Sequence, residues 1–209
     1  MRESVLVDEL RRAYLAKRDA IRARLDEFSR VPPSEYLYEL AYCLMTPQSS
    51  AVNAEQVVQL LRRYDFSSAD LDPEPLLQRK EHYIRFHKTK ARHLSAAKAD
   101  FPGIARQLTN GTPSGELRRW LVKNVRGLGW KEASHFLRNI GHRNLAILDR
   151  HILRNLLRFK LIHDLPKSLT EKRYLAIEEK FHKLAQSIGI PMDELDLLFW
   201  SMETGEILK

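Results

Sequence analysis

The apolar residues of this 209-residue chain recur with the period of an α-helix almost from end to end. In residues 1–29 they form one stripe between charged faces. That stripe consists of Val5, Leu6, Leu10, Ala13, Tyr14, Ile21, Leu25 and Phe28. No stretch of useful length alternates with period two, as a half-buried strand would. The sequence therefore predicts an all-α protein.

Prolines and small polar residues divide this pattern into helices. Val31-Pro32-Pro33 ends the first helix, and Ser34 is placed to cap a second helix over residues 35–44. Pro102-Gly103 predicts a break after a helix over residues 88–101. Further helices are predicted over 51–63, 74–82, 116–124, 131–140, 150–159, 171–188 and 191–200.

The composition narrows the class of partner and of compartment. A formal net charge of +8 favours a polyanion such as nucleic acid. The single cysteine, Cys43, excludes an internal disulfide and a four-cysteine metal cluster, and it is expected in the core. No segment approaches the length of a membrane span, and the N-terminus does not resemble a secretory signal, so a cytoplasmic protein bound to the nucleoid through DNA is expected.

A glycine turn, Gly127-Leu128-Gly129, separates two predicted helices. The second helix has an apolar face formed by Ala133, Phe136, Leu137 and Ile140 at helical spacing. Two glycines ahead of a helix N-terminus let backbone N–H groups approach an anion closely. Residues 116–140 therefore predict a helix–hairpin–helix motif that binds a DNA phosphate. An ordinary interhelical turn is the alternative, because G-x-G before a helix is a weak motif.

Two charged residues follow this turn in the sequence. Lys131 comes after Trp130, in the first turn of the second predicted helix, and Asp149 follows the apolar run Leu145–Leu148. Taken singly, Lys131 fits a surface lysine and Asp149 fits an N-cap for a helix that begins at Arg150. Together with a phosphate-binding turn, an amine and a carboxylate form a coherent set for chemistry on a nucleic acid.

These segments resemble the helix–hairpin–helix DNA glycosylase superfamily. The resemblance rests on Gly127–Lys131 with Leu148-Asp149-Arg150-His151 downstream. Within the superfamily, the chain is similar to the archaeal-type 8-oxoguanine DNA glycosylase/AP lyases, which are of this length, lack an iron–sulfur cluster and end in lysine. The likeness extends over nearly the whole chain and includes residues 46–49, 85–88, 131–139 and 203–209.

The resemblance implies a fold and a reaction. The fold would be two helical subdomains, residues 35–130 and residues 1–34 with 131–209, with the hairpin and an active-site cleft between them. The reaction would be excision of 8-oxoguanine from double-stranded DNA, followed by strand cleavage at the abasic site. Lys131 would attack C1′ to form a Schiff base, which requires its neutral amine. Asp149 would stabilise positive charge on the sugar.

The resemblance also implies residues that recognise the damaged base. The terminal carboxylate of Lys209 would accept the N7–H that distinguishes 8-oxoguanine from guanine. Trp200 and Phe86 would sandwich the flipped base, with core packing as the alternative. Gln48 would fill the vacated space in the duplex or contact the orphaned base, with a loop or capping glutamine as the alternative.

The remaining expectations concern the DNA backbone and cofactors. Gly127, Gly129, Arg150 and His151 are expected to contact DNA, although solvated surface positions are the alternative for the two charged residues. The dispersed histidines predict no metal site. No cofactor is expected, apart from a monovalent cation that family likeness suggests at carbonyls of the hairpin turn, near Lys123, Val125 and Leu128. The protein is expected to act as a monomer.

Two other functions are compatible with the residues. One keeps the family and changes the substrate to an oxidised pyrimidine or a mismatch; the lone cysteine and the Lys209 tail count against it. The other is a non-catalytic helix–hairpin–helix DNA-binding module. That module would explain the charge and the glycine turn, but it leaves Lys131 and Asp149 without a joint role.

Overall fold

The computed structural model describes the backbone of residues 2–207 and the side chains of residues 6–207. Within this part of the chain there are ten α-helices and no strand, which confirms the all-α prediction. The helices are α1 (Arg2–Ser29), α2 (Tyr36–Met45), α3 (Ala51–Arg63), α4 (Glu74–Leu77), α5 (His87–Thr109), α6 (Ser114–Asn124), α7 (Trp130–Asn139), α8 (Arg150–Arg158), α9 (Glu171–Ile188) and α10 (Met192–Thr204). Two 3₁₀ helices cover Pro33–Glu35 and Lys80–His82.

The chain divides into two compact units. The central unit comprises Val31–Phe136, and the terminal unit comprises Met1–Arg30 with Leu137–Lys209. The sequence had placed these borders after residues 34 and 130. Helices are the only regular secondary structure in the described residues of both units. None of those helices is long and apolar enough to cross a bilayer.

Helix α2 forms the core of the central unit. Every residue from Leu37 to Met45 is buried, including Cys43, which confirms the expectation that the cysteine is a core residue. α2 lies against α3 and α5, and α5 in turn contacts α4 and α6. A helix that is buried on all sides in this way is stable only when other helices surround it.

Helix α10 has the corresponding place in the terminal unit, where it contacts α1, α8 and α9. All residues from Met192 to Phe199 are buried. This core also encloses charge, because Arg138 Nη1 lies 3.3 Å from Asp196 Oδ1 and both side chains are almost completely buried. A second Asp196 oxygen accepts a hydrogen bond from Ile147 N at 3.3 Å.

Two local predictions were wrong. α5 runs through Pro102 instead of ending before it. Proline removes one backbone hydrogen bond, and the buried face that continues from Leu94 and Ala97 to Ile104 offsets that loss. Ser34 lies inside a 3₁₀ helix that follows Pro32, and no side chain caps that helix or α2.

The helix predicted over residues 74–82 is also shorter than expected. α4 ends at Leu77, whose carbonyl oxygen accepts a hydrogen bond from Ile84 N at 2.9 Å. That bond takes the acceptor that the next helical turn would have used. The rest of the segment forms the 3₁₀ helix Lys80–His82.

Candidate active site

The predicted hairpin is present as α6, a five-residue turn and α7. The turn is closed by Leu128 N, which donates to Val125 O at 3.2 Å. α7 is joined to it by Ala133 N, which donates to Gly129 O at 2.9 Å. Leu121, Leu128 and Phe136 are buried, so each segment of the hairpin contributes to an apolar core.

The backbone and the surroundings of Gly127 require glycine, whereas Gly129 is close only to the flexible end of a side chain. Gly127 has φ +87°, and a Cβ at this position would overlap the His93 imidazole. At Gly129 a Cβ would lie 2.8 Å from Glu132 Oε2. Burial lowers the pKa of His93, and the cationic Arg126 adds to this effect, so that the ring against the turn is uncharged at neutral pH.

A buried arginine braces the two hairpin helices. Arg118 of α6 places its guanidinium 4.9 Å from the centre of the Trp130 ring and donates to Ser134 Oγ at 3.1 Å. Ser134 in turn donates to Trp130 O at 3.0 Å. A cation over an indole face is a favourable contact, and it fixes the start of α7.

Lys131 lies in the first turn of α7, beside the glycine turn. Its side chain is 28% exposed, and Nζ lies 3.2 Å from Glu132 Oε1. Glu132 was not among the site residues predicted from the sequence. Its position in the first turn of a helix, where a carboxylate is favoured by the helix dipole, was the available signal.

Gln48 and Phe86 both have left-handed backbone conformations, with φ of 56° and 60°. Both side chains are exposed, and half of the Phe86 surface is open to solvent. This excludes core packing for Phe86. The Arg85 guanidinium lies 4.9 Å from the centre of the Phe86 ring, so the exposed aromatic surface is flanked by positive charge.

A buried lysine connects the segments that carry these two residues. Lys90 Nζ donates to Met45 O at 2.6 Å, to Pro47 O at 2.6 Å and to Ser49 Oγ at 3.0 Å. Burial lowers the pKa of Lys90 to about 8; the Glu132 carboxylate opposes this shift and Lys131 adds to it. The sequence reading overlooked Lys90, although it lies on the α5 face that also carries Ala91 and Leu94.

In the terminal unit Asp149 is the N-cap of α8, as its position before Arg150 predicted. Asp149 Oδ1 accepts hydrogen bonds from His151 N at 2.8 Å and Ile152 N at 2.9 Å. The second oxygen, Oδ2, accepts from Trp200 Nε1 at 3.2 Å. Three donors therefore fix the plane of one carboxylate.

One aromatic residue, Trp200, and two basic residues, Arg150 and His151, lie next to Asp149. His151 lies edge-on to Trp200, with ring centres 6.2 Å apart, and its Nδ1 lies 3.8 Å from Glu203 Oε2. Arg150 is exposed, and its Nε donates to His151 Nε2 at 3.3 Å. Trp200 is partly exposed rather than enclosed in the core.

The predicted site residues thus lie in three groups, one in the terminal unit and two in the central unit. The terminal unit brings together Asp149, Arg150, His151 and Trp200. The central unit holds the hairpin glycines and Lys131, and separately the Gln48 and Phe86 segments. Lys209 lies outside the described residues. In the part of the chain that is described, no cluster of three or more His, Cys, Asp or Glu side chains could hold a metal ion.

Comparison with known proteins identifies the family. Residues 21–190 match the family model described as 8-oxoguanine DNA glycosylase. The 8-oxoguanine DNA glycosylase/AP lyase of Fusobacterium nucleatum is 39% identical over 219 residues, and the alignment covers 100% of both chains.

Solved structures agree with this match. The 8-oxoguanine DNA glycosylase of Methanocaldococcus jannaschii superposes with a TM-score of 0.88 at 30% identity, over 100% of this chain and 98% of that one. A structure of the M. jannaschii 8-oxoguanine glycosylase/lyase in complex with a 15mer DNA containing 8-oxoguanine gives a TM-score of 0.88 at 30% identity, over 98% of this chain and 100% of that one. The resemblance seen in the motifs is therefore confirmed, and the chain belongs to the 8-oxoguanine DNA glycosylase family.

Proposed function

We propose that this protein removes 8-oxoguanine from double-stranded DNA and then cleaves the strand at the abasic site, acting as a monomer in the nucleoid. The relatives that match it over their whole length carry the name of a glycosylase and AP lyase. The net charge of +8 suits a polyanionic substrate. One observation carries the mechanism: a partly exposed lysine amine in the first turn of the second hairpin helix.

In the proposed reaction the neutral Lys131 Nζ attacks C1′ of the damaged nucleotide. The new C1′–Nζ bond replaces the bond from C1′ to the base, which leaves with the bonding electron pair and takes up a proton. Opening of the sugar at O4′ gives a Schiff base. Loss of a C2′ proton then expels the 3′ phosphate and nicks the strand. Glu132, 3.2 Å from Nζ, holds the amine in place before attack.

Lys90 is the obvious rival nucleophile, because burial lowers its pKa to about 8. Its amine, however, is not accessible to a sugar carbon. The Lys90 side chain is buried, and all three of its donor positions are directed at Met45 O, Pro47 O and Ser49 Oγ. An attacking nitrogen must reach a sugar carbon, and of these two amines only that of Lys131 is open to solvent.

Asp149 supplies negative charge as the glycosidic bond breaks. A carboxylate whose orientation is already fixed needs no reorganisation in the transition state, and groups of this kind contribute about 3–4 kcal/mol in other enzymes. Its hydrogen bond from Trp200 links this charge to an aromatic ring. Trp200 and Phe86 stack on the flipped base, Gln48 occupies the space it leaves, and Arg150 and His151 contact phosphates.

Two finer parts of the proposal concern the chain terminus and a cation. The Lys209 carboxylate accepts the N7–H of 8-oxoguanine, so deleting Lys209 reduces discrimination against guanine more than it reduces cleavage of abasic DNA. Carbonyl oxygens of the turn near Lys123, Val125 and Leu128 hold a monovalent cation. Replacing K⁺ by tetramethylammonium at constant ionic strength then weakens DNA binding, whereas an unchanged affinity contradicts the cation site.

Borohydride trapping tests the function. Duplexes containing 8-oxoguanine, thymine glycol, a G·T mismatch or no lesion are incubated with the protein and borohydride. We expect a covalent adduct on 8-oxoguanine DNA, its loss in Lys131→Gln, and wild-type trapping in Lys167→Gln, an exposed lysine between α8 and α9. Preferential trapping on another lesion contradicts the proposed substrate, and binding without any adduct contradicts an enzyme.

A further inference from the structure

Gln48 and Phe86 have backbone conformations that their own side chains disfavour. Each lies in the left-handed region, with φ of 56° and 60°, where a residue with a Cβ is less stable than in right-handed backbone. Such residues persist only where surrounding contacts hold them. Because both side chains are exposed, the contacts that hold these two residues must be made to the residues beside them in the chain.

Lys90 provides them for the Gln48 segment. Its Nζ donates to the carbonyl oxygens of Met45 and Pro47, at the end of α2, and to Ser49 Oγ, directly after Gln48. The acceptors therefore flank Gln48 on both sides. Three donors matched to three acceptors account for the full capacity of one ammonium group.

The same residue reaches the Phe86 segment. Ser49 Oγ, which accepts from Lys90 Nζ, also accepts from Arg85 N at 3.0 Å. Lys90 N donates to Phe86 O at 3.0 Å, in the first turn of α5. The Lys90 side chain is thus bonded directly to residues on either side of Gln48, and through the Ser49 hydroxyl to Arg85, the residue before Phe86. The bond from Lys90 N belongs to the α5 backbone and does not depend on the lysine side chain.

A lysine that served only to stabilise the fold would carry a large desolvation penalty at this position. The Lys90 side chain is only 5% exposed, and burial of an ammonium carries a penalty of several kcal/mol before its hydrogen bonds are counted. The lowered pKa of about 8 reflects that penalty. Gln48 and Phe86 are both exposed, so burial of their side chains does not offset the cost of the left-handed backbone.

From this arrangement we infer that Lys90 is a positioning residue, which with Ser49 holds Gln48 and Phe86 in the geometry that receives a flipped-out base. The inference rests on the proposed function, because it names the residue that prepares that site. Lys90 touches neither the sugar nor the base. Without it, the two segments relax toward ordinary backbone, and the free protein no longer presents both side chains in place.

Base removal and abasic-site cleavage depend on this geometry to different extents. Extraction of a stacked base costs a few kcal/mol, which the side chains that replace and grip it must supply. An abasic site has no base to extract or grip. Loss of the Lys90 contacts should therefore slow excision of 8-oxoguanine much more than strand cleavage at a preformed abasic site.

The experiment compares Lys90→Met, Ser49→Ala and a control, Lys98→Met, under single-turnover conditions. Lys98 lies on the same helix and likewise donates to a backbone carbonyl, that of Ala69. We expect Lys90→Met to slow excision by about 30-fold or more and abasic-site cleavage by about threefold or less. Ser49→Ala should slow excision by about threefold, and Lys98→Met should leave both rates within about twofold of wild type.

Two further measurements separate positioning from stability. 2-Aminopurine placed beside the lesion reports unstacking, and its fluorescence rise on binding should be smaller in Lys90→Met than in Lys98→Met. The double variant of Lys90→Met with Ser49→Ala should be no slower in excision than Lys90→Met alone, because both changes break one network.

Equal slowing of both reactions in Lys90→Met, or unchanged excision, overturns the inference. If Lys90→Met does not fold, Ser49→Ala alone decides, since equal effects on both reactions overturn the inference in the same way. Failure of the proposed function looks different, because the wild-type protein itself would then not excise 8-oxoguanine.

Discussion

Asp149 and Gln48 are held in place by opposite means. Asp149 has an extended backbone, with φ of −84°, and is fixed by N–H groups two and three residues farther along the chain. Gln48 has a left-handed backbone, and the residues on either side of it accept hydrogen bonds from the side chain of Lys90, which belongs to α5. One proposed site residue is positioned by its own helix end, and the other by a buried lysine from another helix.

The difference has consequences for how each position responds to mutation. A helix cap forms with its helix, so Asp149 should keep its place as long as α8 is folded. A strained loop held by one remote ammonium loses its geometry when that single residue changes. Substitutions far from the chemistry should therefore disturb the Gln48 segment more readily than Asp149.

The largest effect is expected for Asp149→Asn, which keeps the cap and removes the charge. Asparagine caps helices as well as aspartate does, so the free energy of unfolding should stay within about 1 kcal/mol of wild type. Excision of 8-oxoguanine should fall about 100- to 1,000-fold, because the sugar cation loses its counter-charge. Single-turnover rates and urea unfolding measure both quantities, with the exposed Asp164→Asn as control. Retention of a third of the activity would show that the charge is unimportant.

The next prediction concerns pH and the buried Asp196. Burial raises its pKa to about 7, with Asp149 and Asp193 adding to the shift and Arg138 opposing it. The folded protein thus retains a proton that the unfolded chain releases, so this contribution to stability is present at pH 4 and is lost as pH rises to about 7. The full shift corresponds to an upper limit of about 4 kcal/mol.

Asp196→Asn should flatten that fall in urea-unfolding free energy between pH 4 and pH 7. Part of the slope should remain, because burial also raises the pKa of Asp193. If α8 itself holds Asp149, excision at pH 7 should change by less than about threefold in this variant, provided that it is folded. An unchanged slope would mean that Asp196 is ionised throughout, and a large loss of excision would mean that Asp149 depends on the core beneath it.

A smaller effect is expected for Trp200→Phe, which keeps an aromatic ring and removes the N–H donated to Asp149 Oδ2. Two backbone donors still orient the carboxylate, so excision should slow by only about five- to tenfold. Trp200→Leu, which also removes the ring, should be clearly slower than Trp200→Phe in the same assay. Equal rates for the two variants would assign the effect to the hydrogen bond alone.

The smallest effect is expected for Gln48→Gly, which relieves the left-handed strain. The free energy of unfolding should rise by up to about 1 kcal/mol while excision slows a few-fold. Lys160→Gly is the matched control, since Lys160 has φ of 57° in the terminal unit; it should be stabilised without loss of activity. A destabilised Gln48→Gly would show that the glutamine side chain, rather than Lys90, supports this conformation.

The features that sequence reasoning recovered are local ones. The glycine turn, the stripe on α7 and the cap at Asp149 each depend on residues within a few positions of one another. Helical periodicity likewise located most helices. The family resemblance then joined Lys131 and Asp149, which are far apart in the chain, in one reaction.

The features that it missed depend on contacts between distant segments. Lys90 is one of 35 lysines and arginines, and only the fold shows that its amine meets the end of α2. α5 continues through Pro102 because the buried face beyond it outweighs a local break signal.

The identity of the lysine that bonds to DNA is the most direct test of the whole account. The borohydride-trapped complex on 8-oxoguanine DNA is digested with nuclease and protease, and the modified peptide is sequenced by mass spectrometry. We predict a deoxyribose-derived adduct on Lys131 alone, with Lys90 unmodified. An adduct on Lys90 or on any other lysine, with Lys131 unmodified, would contradict the account.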